Sequence, residues 1–246
     1  MKSKLLTIKK KRSGRDAQGH VSTRHRGGEH KRFLRLIDWR RTKLDVKAKV
    51  AAIEYDPNRT ADIALLHYED GSKSYIIATA NLKVGDVVVY SENAPIKEGN
   101  KLPLKNIPVG TPISCLEFQA GRGAQIIKSA GSSAYIQSID DTKAIIKLPS
   151  GELRVFPSTA CATIGQVGNS DHSNQKLVKA GDSRHRGIRP AVRGVAQNPH
   201  SHPHGGGEGR SSIGMHPKTP WGKPAMGKKT RKRKKASNKL IIKHRK

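Results

Sequence analysis

The stretch Ile63–Ala80, IALLHYEDGSKSYIIATA, holds two apolar runs on either side of Glu69-Asp70-Gly71-Ser72. Asp-Gly between such runs is a strong short-range hairpin signal, because these residues accept the positive φ of tight turns. Working outward, the same pattern repeats. Lys49–Tyr55 is a short apolar run closed by Asp56-Pro57-Asn58-Arg59, where Pro presets φ and Asp or Asn can bond the local backbone. Asp86–Tyr90 is Val-rich. Ile113–Phe118, Ala134–Ile139, Ala144–Leu148 and Leu153–Phe156 follow, divided by Gly-rich, Asp140-Asp141 and Pro149-Ser150-Gly151 turns. Short strands with turn signals about every eight to twelve residues predict a mainly β chain built from barrels, not an open α/β sheet. Glu92–Gly110, with Pro95, Pro103 and Pro108, is the best internal boundary. Each half-body then has roughly 65–75 residues, small for one core but enough for a five-stranded barrel.

Charge divides the chain more sharply than hydrophobicity does. Its 246 residues carry 48 Lys and Arg against 19 acids, a formal charge of +29. Residues 38–176 are nearly neutral at +2, so +27 lies in the flanking arms, and residues 211–246 contain no acid. Solubility needs a charge of only about 2–8, and this excess repels itself. The natural counterweight is nucleic acid. No apolar run approaches the roughly 18 residues of a membrane span, and no amphipathic face carries aromatic anchors, so no membrane partner is expected. With ten aromatics in the whole chain, neither core can be rich, which suits a protein stabilised by its partner. The arms show no helical period and bury too little to order alone.

The start, MKSKLLTIKKKR, has only Leu5–Ile8 as an apolar segment, against the roughly 7–15 residues of a secretory signal, and is sparse in the Arg and Ser of a transit peptide. Cys115 and Cys161 lack a C-x-x-C partner and read as small buried hydrophobes in a reducing compartment.

Gly194–Arg210, GVAQNPHSHPHGGGEGR, is the stretch with the most chemistry. His200, His202 and His204 could line one side of an extended chain. Pro199 and Pro203 forbid a helix through them, and the nearest carboxylate, Glu208, lies beyond flexible glycines, which disfavours zinc. Ser201 lacks the elbow of a nucleophile. Gly205, Gly206 and Gly207 instead let backbone approach a phosphate or base, and imidazole or the Arg210 guanidinium can stack on bases. RNA packing ranks first, a mobile loop second and a metal third. Gly222–Lys229 nearly copies a phosphate loop, but Lys229 stands where magnesium needs a hydroxyl, Pro224 interrupts it and no strand precedes it. The tail Lys228–Lys235 has seven basic residues in eight, joining basic segments Lys9–Arg15, Arg24–Arg35 and Arg184–Arg193. Prolines at 190, 199, 203, 217, 220 and 224 deny these segments a groove-reading helix and favour threading into folded RNA.

These residues closely resemble the universal large-subunit ribosomal protein two family (the L-two family). The resemblance rests on Gly194–Arg210, His216-Pro217-x-Thr219-Pro220-Trp221-Gly222 and Gly227-Lys228-Lys229-Thr230-Arg231. It extends in order through Gly14-Arg15, Thr23-Arg24-His25-Arg26-Gly27-Gly28, Glu54-Tyr55-Asp56-Pro57-Asn58-Arg59, Asn106–Gly110, Ser129-Ala130-Gly131 and Gly187–Gly194. It implies a basic N-terminal arm (1–31), an OB-fold-like barrel (32–95), an SH3-like barrel (96–176) and a basic Gly/His/Pro-rich extension (177–246). It further implies a structural constituent of the large subunit, not an enzyme, bound to large-subunit rRNA and other ribosomal proteins. The Gly-His loop would reach toward the peptidyl transferase centre, and the protein would support subunit association, at a bridge to the small subunit, and tRNA placement. Expected rRNA-facing residues are Arg15, Arg24, His25, Arg26, Arg32, Arg59, Arg184, Arg186, Arg189, Arg193, His202, His204, Gly205–Gly207, Arg210, Lys228, Lys229, Arg231, Lys232 and Arg233. No metal site, homo-oligomer or cofactor is expected, with rRNA-associated magnesium left open. The implied location is the cytoplasmic ribosome of a bacterium, an organellar ribosome being the alternative.

Two departures stand out. The N-terminal arm is shorter than is usual in bacterial relatives, so some outer rRNA contacts would be missing. The Asp that usually precedes H-P-H-G-G-G is Ser201 here, beside an added His200, so that position supplies no carboxylate to orient His202. Two alternatives remain at this point: a direct general acid or base role for His202 in peptide transfer, and a free RNA chaperone or translational regulator.

Overall fold

The structure, a computed structural model, describes residues 4–245; residues 1–3 and 246, the tips of the two arms, lie outside the described residues. The chain divides into two compact units. The first holds Lys31–Lys176 with the described parts of Met1–Lys9 and Ala236–Lys246, and the second holds Lys10–His30 and Leu177–Lys235.

The first unit is β structure in three antiparallel sheets. Strands β1 (Leu6–Ile8) and β2 (Phe33–Arg35) form a short pair. Strands β3 (Ala48–Glu54), β4 (Ile63–Tyr68), β5 (Lys73–Ile77) and β6 (Val87–Val88) form a four-stranded sheet in the order β5-β4-β3-β6. A larger sheet combines β7 (Lys101–Pro103), β8 (Pro112–Ser114), β9 (Ala134–Ile139), β10 (Lys143–Lys147), β11 (Leu153–Pro157), β12 (Cys161–Ile164) and β13 (Ile241–Lys243) in the order β13-β11-β10-β9-β8-β12-β7.

The near-continuous apolar run of β4 follows from its burial on both faces. Ala64, Leu66 and Tyr68 enter one core with Val50, Ile76 and Val88. Ile63 and Leu65 enter another with Tyr75, Ile77, Val167, Ile37 and Trp39. A strand with one wet face would alternate; in this one only His67 is exposed. The third core, Leu102, Leu104, Ile113, Ile136, Ile146 and Phe156 among others, fills the larger sheet.

Two of the predicted turns form as three-residue loops. The Tyr68 N–H donates to the Ser72 carbonyl at 2.9 Å, and Gly71 takes φ +78°. The Leu148 N–H donates likewise to Glu152 at 2.9 Å, with Gly151 at +82°. Both match the hairpin in which a left-handed residue, here Gly, completes a three-residue loop.

Several expectations need correction. Glu92–Gly110 is not only a boundary, because β7 lies inside it and pairs with β12. The run Ile113–Phe118 yields only the last two residues of β8, since Cys115 takes a left-handed φ of +48° and ends the strand. The basic arms return to sheets at their outer ends: β1 pairs with β2, and β13 pairs with β11 through Leu153–Lys243 and Arg154–Ile241.

At the β7 edge of the larger sheet the Lys101 ammonium and the Glu117 carboxylate form a buried ion pair at 2.8 Å. Lys101 also donates to the Arg40 carbonyl, and Glu117 accepts the Gly121 N–H at 3.0 Å, so each charge has a further partner. Both cysteines are free thiols. Burial pushes the Cys115 thiol up to about 11 and raises that of Cys161, which meets the Tyr90 hydroxyl at 3.6 Å. Among the described residues no helix is long and apolar enough to cross a membrane.

Candidate nucleic-acid interface

The second unit concentrates charge without a sheet: its segments 10–30 and 177–235 carry 21 Lys and Arg against 4 acids. Backbone pairing joins the two segments. The Gly27 N–H donates to the Gly187 carbonyl, His30 to His185 and Arg189 to His25, each at 3.0 Å, and Arg26 bridges Ile188 antiparallel. Two motifs about 160 residues apart in sequence, Thr23–Gly28 and Gly187–Gly194, therefore form one local structure. Glycine is required at the crossing, because a Cβ on Gly187 would lie 2.8 Å from that of Glu29. A six-residue helix, α1 (Ala180–His185), leads into it, with the Lys179 N–H held by the Asp182 carboxylate at 3.3 Å.

In the Gly-His loop, His202 is 7% exposed, its imidazole lying flat against Gly194, where a Cβ would come within 2.6 Å of the ring. The His204 backbone N–H donates to His202 Nδ1 at 3.0 Å, and the Lys218 N–H donates to His204 Nε2 at 2.9 Å. A ring nitrogen that accepts carries no proton, so neutral His202 keeps its proton on Nε2 and neutral His204 on Nδ1. Burial first, then His204 and Arg24, holds the His202 imidazole below its ordinary range.

The glycines of this loop answer to the loop itself. A Cβ on Gly205 would lie 2.4 Å from the Gln197 carbonyl oxygen, on Gly206 2.8 Å from the Pro199 ring, and on Gly207 2.2 Å from Ser211 Oγ. The Gly205 N–H donates to the His202 carbonyl and that of Gly206 to Gln197. The expected open cradle of amides is thus a tight knot, with the Gly205 and Gly206 amides used internally.

Next along the chain, Pro220-Trp221-Gly222 is a third three-residue loop of the same kind. The Thr219 N–H donates to the Lys223 carbonyl at 2.7 Å, and Gly222 takes φ +76°. Gly222 is the left-handed residue of a hairpin, which removes it from any phosphate loop. Trp221 stands at the tip, with the Arg24 guanidinium over its ring at 5.4 Å.

In the first unit, Asp56 is fully buried and accepts from the Asn58 N–H at 2.9 Å and from Arg59 Nε at 2.5 Å. Burial alone would raise the Asp56 carboxyl, but its bonds to Arg59 and Asn58 bring it below the ordinary value. The Arg59 guanidinium, so aligned, lies over the Trp39 ring at 5.6 Å, and Lys128 Nζ lies over it at 4.5 Å. Thr60 Oγ1 accepts the Ala130 N–H at 3.1 Å, binding Asp56–Arg59 to Ser129-Ala130-Gly131. Arg32 donates to the Pro57 carbonyl beside them.

The expected site residues therefore fall into two sets. Arg32 and Arg59 belong to the first unit; the remainder belong to the second. There Arg15 donates to the Gly19 carbonyl at 2.7 Å, and Arg184 is half-buried in α1. Arg186, Arg189, Arg193, Arg210, Lys228, Lys229, Arg231, Lys232 and Arg233 are exposed. Lys128 and Trp221 were not among the expected residues. The turn signal Pro-x-Gly at 220–222 could have placed Trp221 at a tip; nothing local connects Lys128 with Trp39. Among the described residues no group of three or more His, Cys, Asp or Glu side chains is disposed to hold a metal ion.

Comparison with protein families finds two matches in series. The Ribosomal Proteins L2, RNA binding N-terminal domain matches residues 2–90, and the Ribosomal Proteins L2, C-terminal domain matches residues 97–222. The OB-like and SH3-like barrels are the folds consistent with these two domains. With both domains matched across most of its length, the chain belongs to the ribosomal protein L2 family, whose role is structural and RNA-binding in the large ribosomal subunit.

Proposed function

We propose that this protein docks on large-subunit rRNA through its barrels while its second unit enters the packed RNA interior. The observation that carries this reading is the pairing of Thr23–Gly28 with Gly187–Gly194, which gathers Arg24, Arg26, Arg186, Arg189 and Arg193 on one scaffold. Such cations neutralise phosphates where RNA helices approach one another. In the first unit, Arg59 and Lys128 both lie over the Trp39 ring and offer two cations to one stretch of phosphate backbone. The Gly-His loop reaches toward the peptidyl transferase centre, and the protein supports tRNA placement and subunit association at a bridge to the small subunit. Other ribosomal proteins and rRNA-associated magnesium complete its surroundings, on a cytoplasmic ribosome of bacterial type. The arm, barrel, barrel and extension boundaries at 31, 95 and 176 describe how the chain divides this work.

A proton-transfer role for His202 finds no support in the geometry. Nδ1 is occupied by the His204 N–H and Nε2 carries the proton, which leaves no free lone pair for a base. The same arrangement makes Nε2 a donor toward a phosphate or ribose oxygen. Washing large subunits at rising salt and sedimenting them tests the assembly reading. Retention through high salt, followed by crosslinks from residues 24–26 and 186–193 to rRNA, is the expected result. Release at moderate salt with crosslinks to messenger RNA would favour a regulator or chaperone instead.

A further inference from the structure

Trp221 is 74% exposed, at the tip of a rigid hairpin. Pro220 presets one φ and Gly222 supplies the positive one. Lys218 bridges Pro224, the Ala225 N–H donates to the Pro217 carbonyl at 2.9 Å, and the Lys218 N–H is fixed on His204. A large indole fixed at a hairpin tip, with a cation over its ring, has the form of a stacking platform. One face already has the Arg24 guanidinium over it. We propose that the other face receives an unpaired nucleobase, giving a three-layer stack of guanidinium, indole and base.

The surroundings select this occupant. Lys218, Lys223, Lys228 and Lys229 flank the hairpin in sequence and no acid follows Arg210. An apolar protein surface would leave these cations unmatched, whereas a single strand brings a π face and phosphates together. Duplex RNA hides its base faces, so the strand is a loop, bulge or end. Arg24 strengthens the platform through cation–π attraction and can also reach a flanking phosphate. The inference rests on the rRNA-binding reading and names one subsite within it.

The test uses the full chain carrying Trp39→Phe, so that Trp221 is its single tryptophan. Its fluorescence is titrated with a short oligoadenylate and with an abasic oligomer of equal length. Quenching by oligoadenylate alone is expected. With dye-labelled oligomers and fluorescence anisotropy as the readout, Trp221→Ala in the otherwise unaltered chain should weaken oligoadenylate binding roughly 5- to 150-fold, with Trp221→Phe close to the parent and abasic binding unchanged. Unchanged circular dichroism and unfolding midpoints verify the fold of each variant. Equal quenching by both oligomers, or undiminished oligoadenylate affinity in Trp221→Ala, overturns the stack and leaves the rRNA-binding reading intact. Binding of neither labelled oligomer by the unaltered chain at low salt overturns both.

Discussion

His202 and His204 are joined by a bond from the backbone of one to the ring of the other, 3.0 Å from the His204 N–H to His202 Nδ1. Gln at 202 can present an amide oxygen to the same N–H; Ala cannot. His202→Gln in reconstituted large subunits should therefore assemble normally and keep both the peptide-bond rate and its pH profile. His202→Ala should assemble poorly. A rate loss with an altered pH profile in His202→Gln would restore the proton-transfer reading.

The same ring gives a pH dependence. Its folded pKa lies below the ordinary 6.5, so the unfolded loop binds the proton more tightly. Loop stability is thus fully present above about 6.5 and declines as pH falls toward the lowered folded value. On acidification below 6.5 the Gly205 and Gly206 amides of the isolated protein should lose protection, their exchange showing an excess over what the falling intrinsic rate predicts at each pH. His202→Gln should abolish that excess.

Glycine substitutions should divide by what each Cβ meets. Gly194→Ala drives a methyl into the His202 ring and should cost about 1–3 kcal/mol of loop stability. Gly181→Ala, inside α1 with nothing within 4 Å of the added carbon, should stabilise that helix by about 0.5–1 kcal/mol. Site-resolved amide exchange separates the two.

Lys101 and Glu117 provide a test of burial. Lys101→Met leaves a carboxylate without its counter-ion and should cost about 3–5 kcal/mol in urea unfolding. Lys101→Met combined with Glu117→Leu should recover much of that loss, because two apolar groups need no pairing.

Asp70 bonds to Lys43 first and to Ser72 next, which bring its carboxyl down to about 2. Lys43→Ala should return it toward the ordinary 3.8, a change read directly by carboxyl carbon NMR. The hairpin's contribution from this group is present above its unfolded pKa and is lost as pH falls through about 2.

The readable parts of the fold were those whose cause is local. Glu69-Asp70-Gly71 and Pro149-Ser150-Gly151 announce their hairpins because the turn chemistry is in the turn itself. Strand β7, Lys-Leu-Pro, carries no strand signature. Its lysine is buried because Glu117 and the Arg40 carbonyl arrive from elsewhere, and its partner β12 lies some sixty residues away. The glycine run was readable as a demand for space, but not what fills it. Sequence suggested phosphate; the Gln197, Asn198, Pro199 and Ser211 contacts show the loop's own atoms there. Lys128 illustrates the limit, since its relation to Trp39 exists only after two barrels have folded.

Strands β1 and β13 change what the basic segments are as polymers. Pairing of β1 with β2 brackets residues 10–30, and pairing of β13 with β11 brackets residues 177–235. Neither segment is a dangling end; each is a closed loop whose termini are stitched into a sheet. Closure entropy grows only logarithmically with length, so long loops cost little more to close than short ones. The freedom removed at the stitches is surrendered on folding, before any RNA arrives, so less remains to be lost on binding. By the same logic, severing either stitch would weaken RNA affinity without removing a single cation.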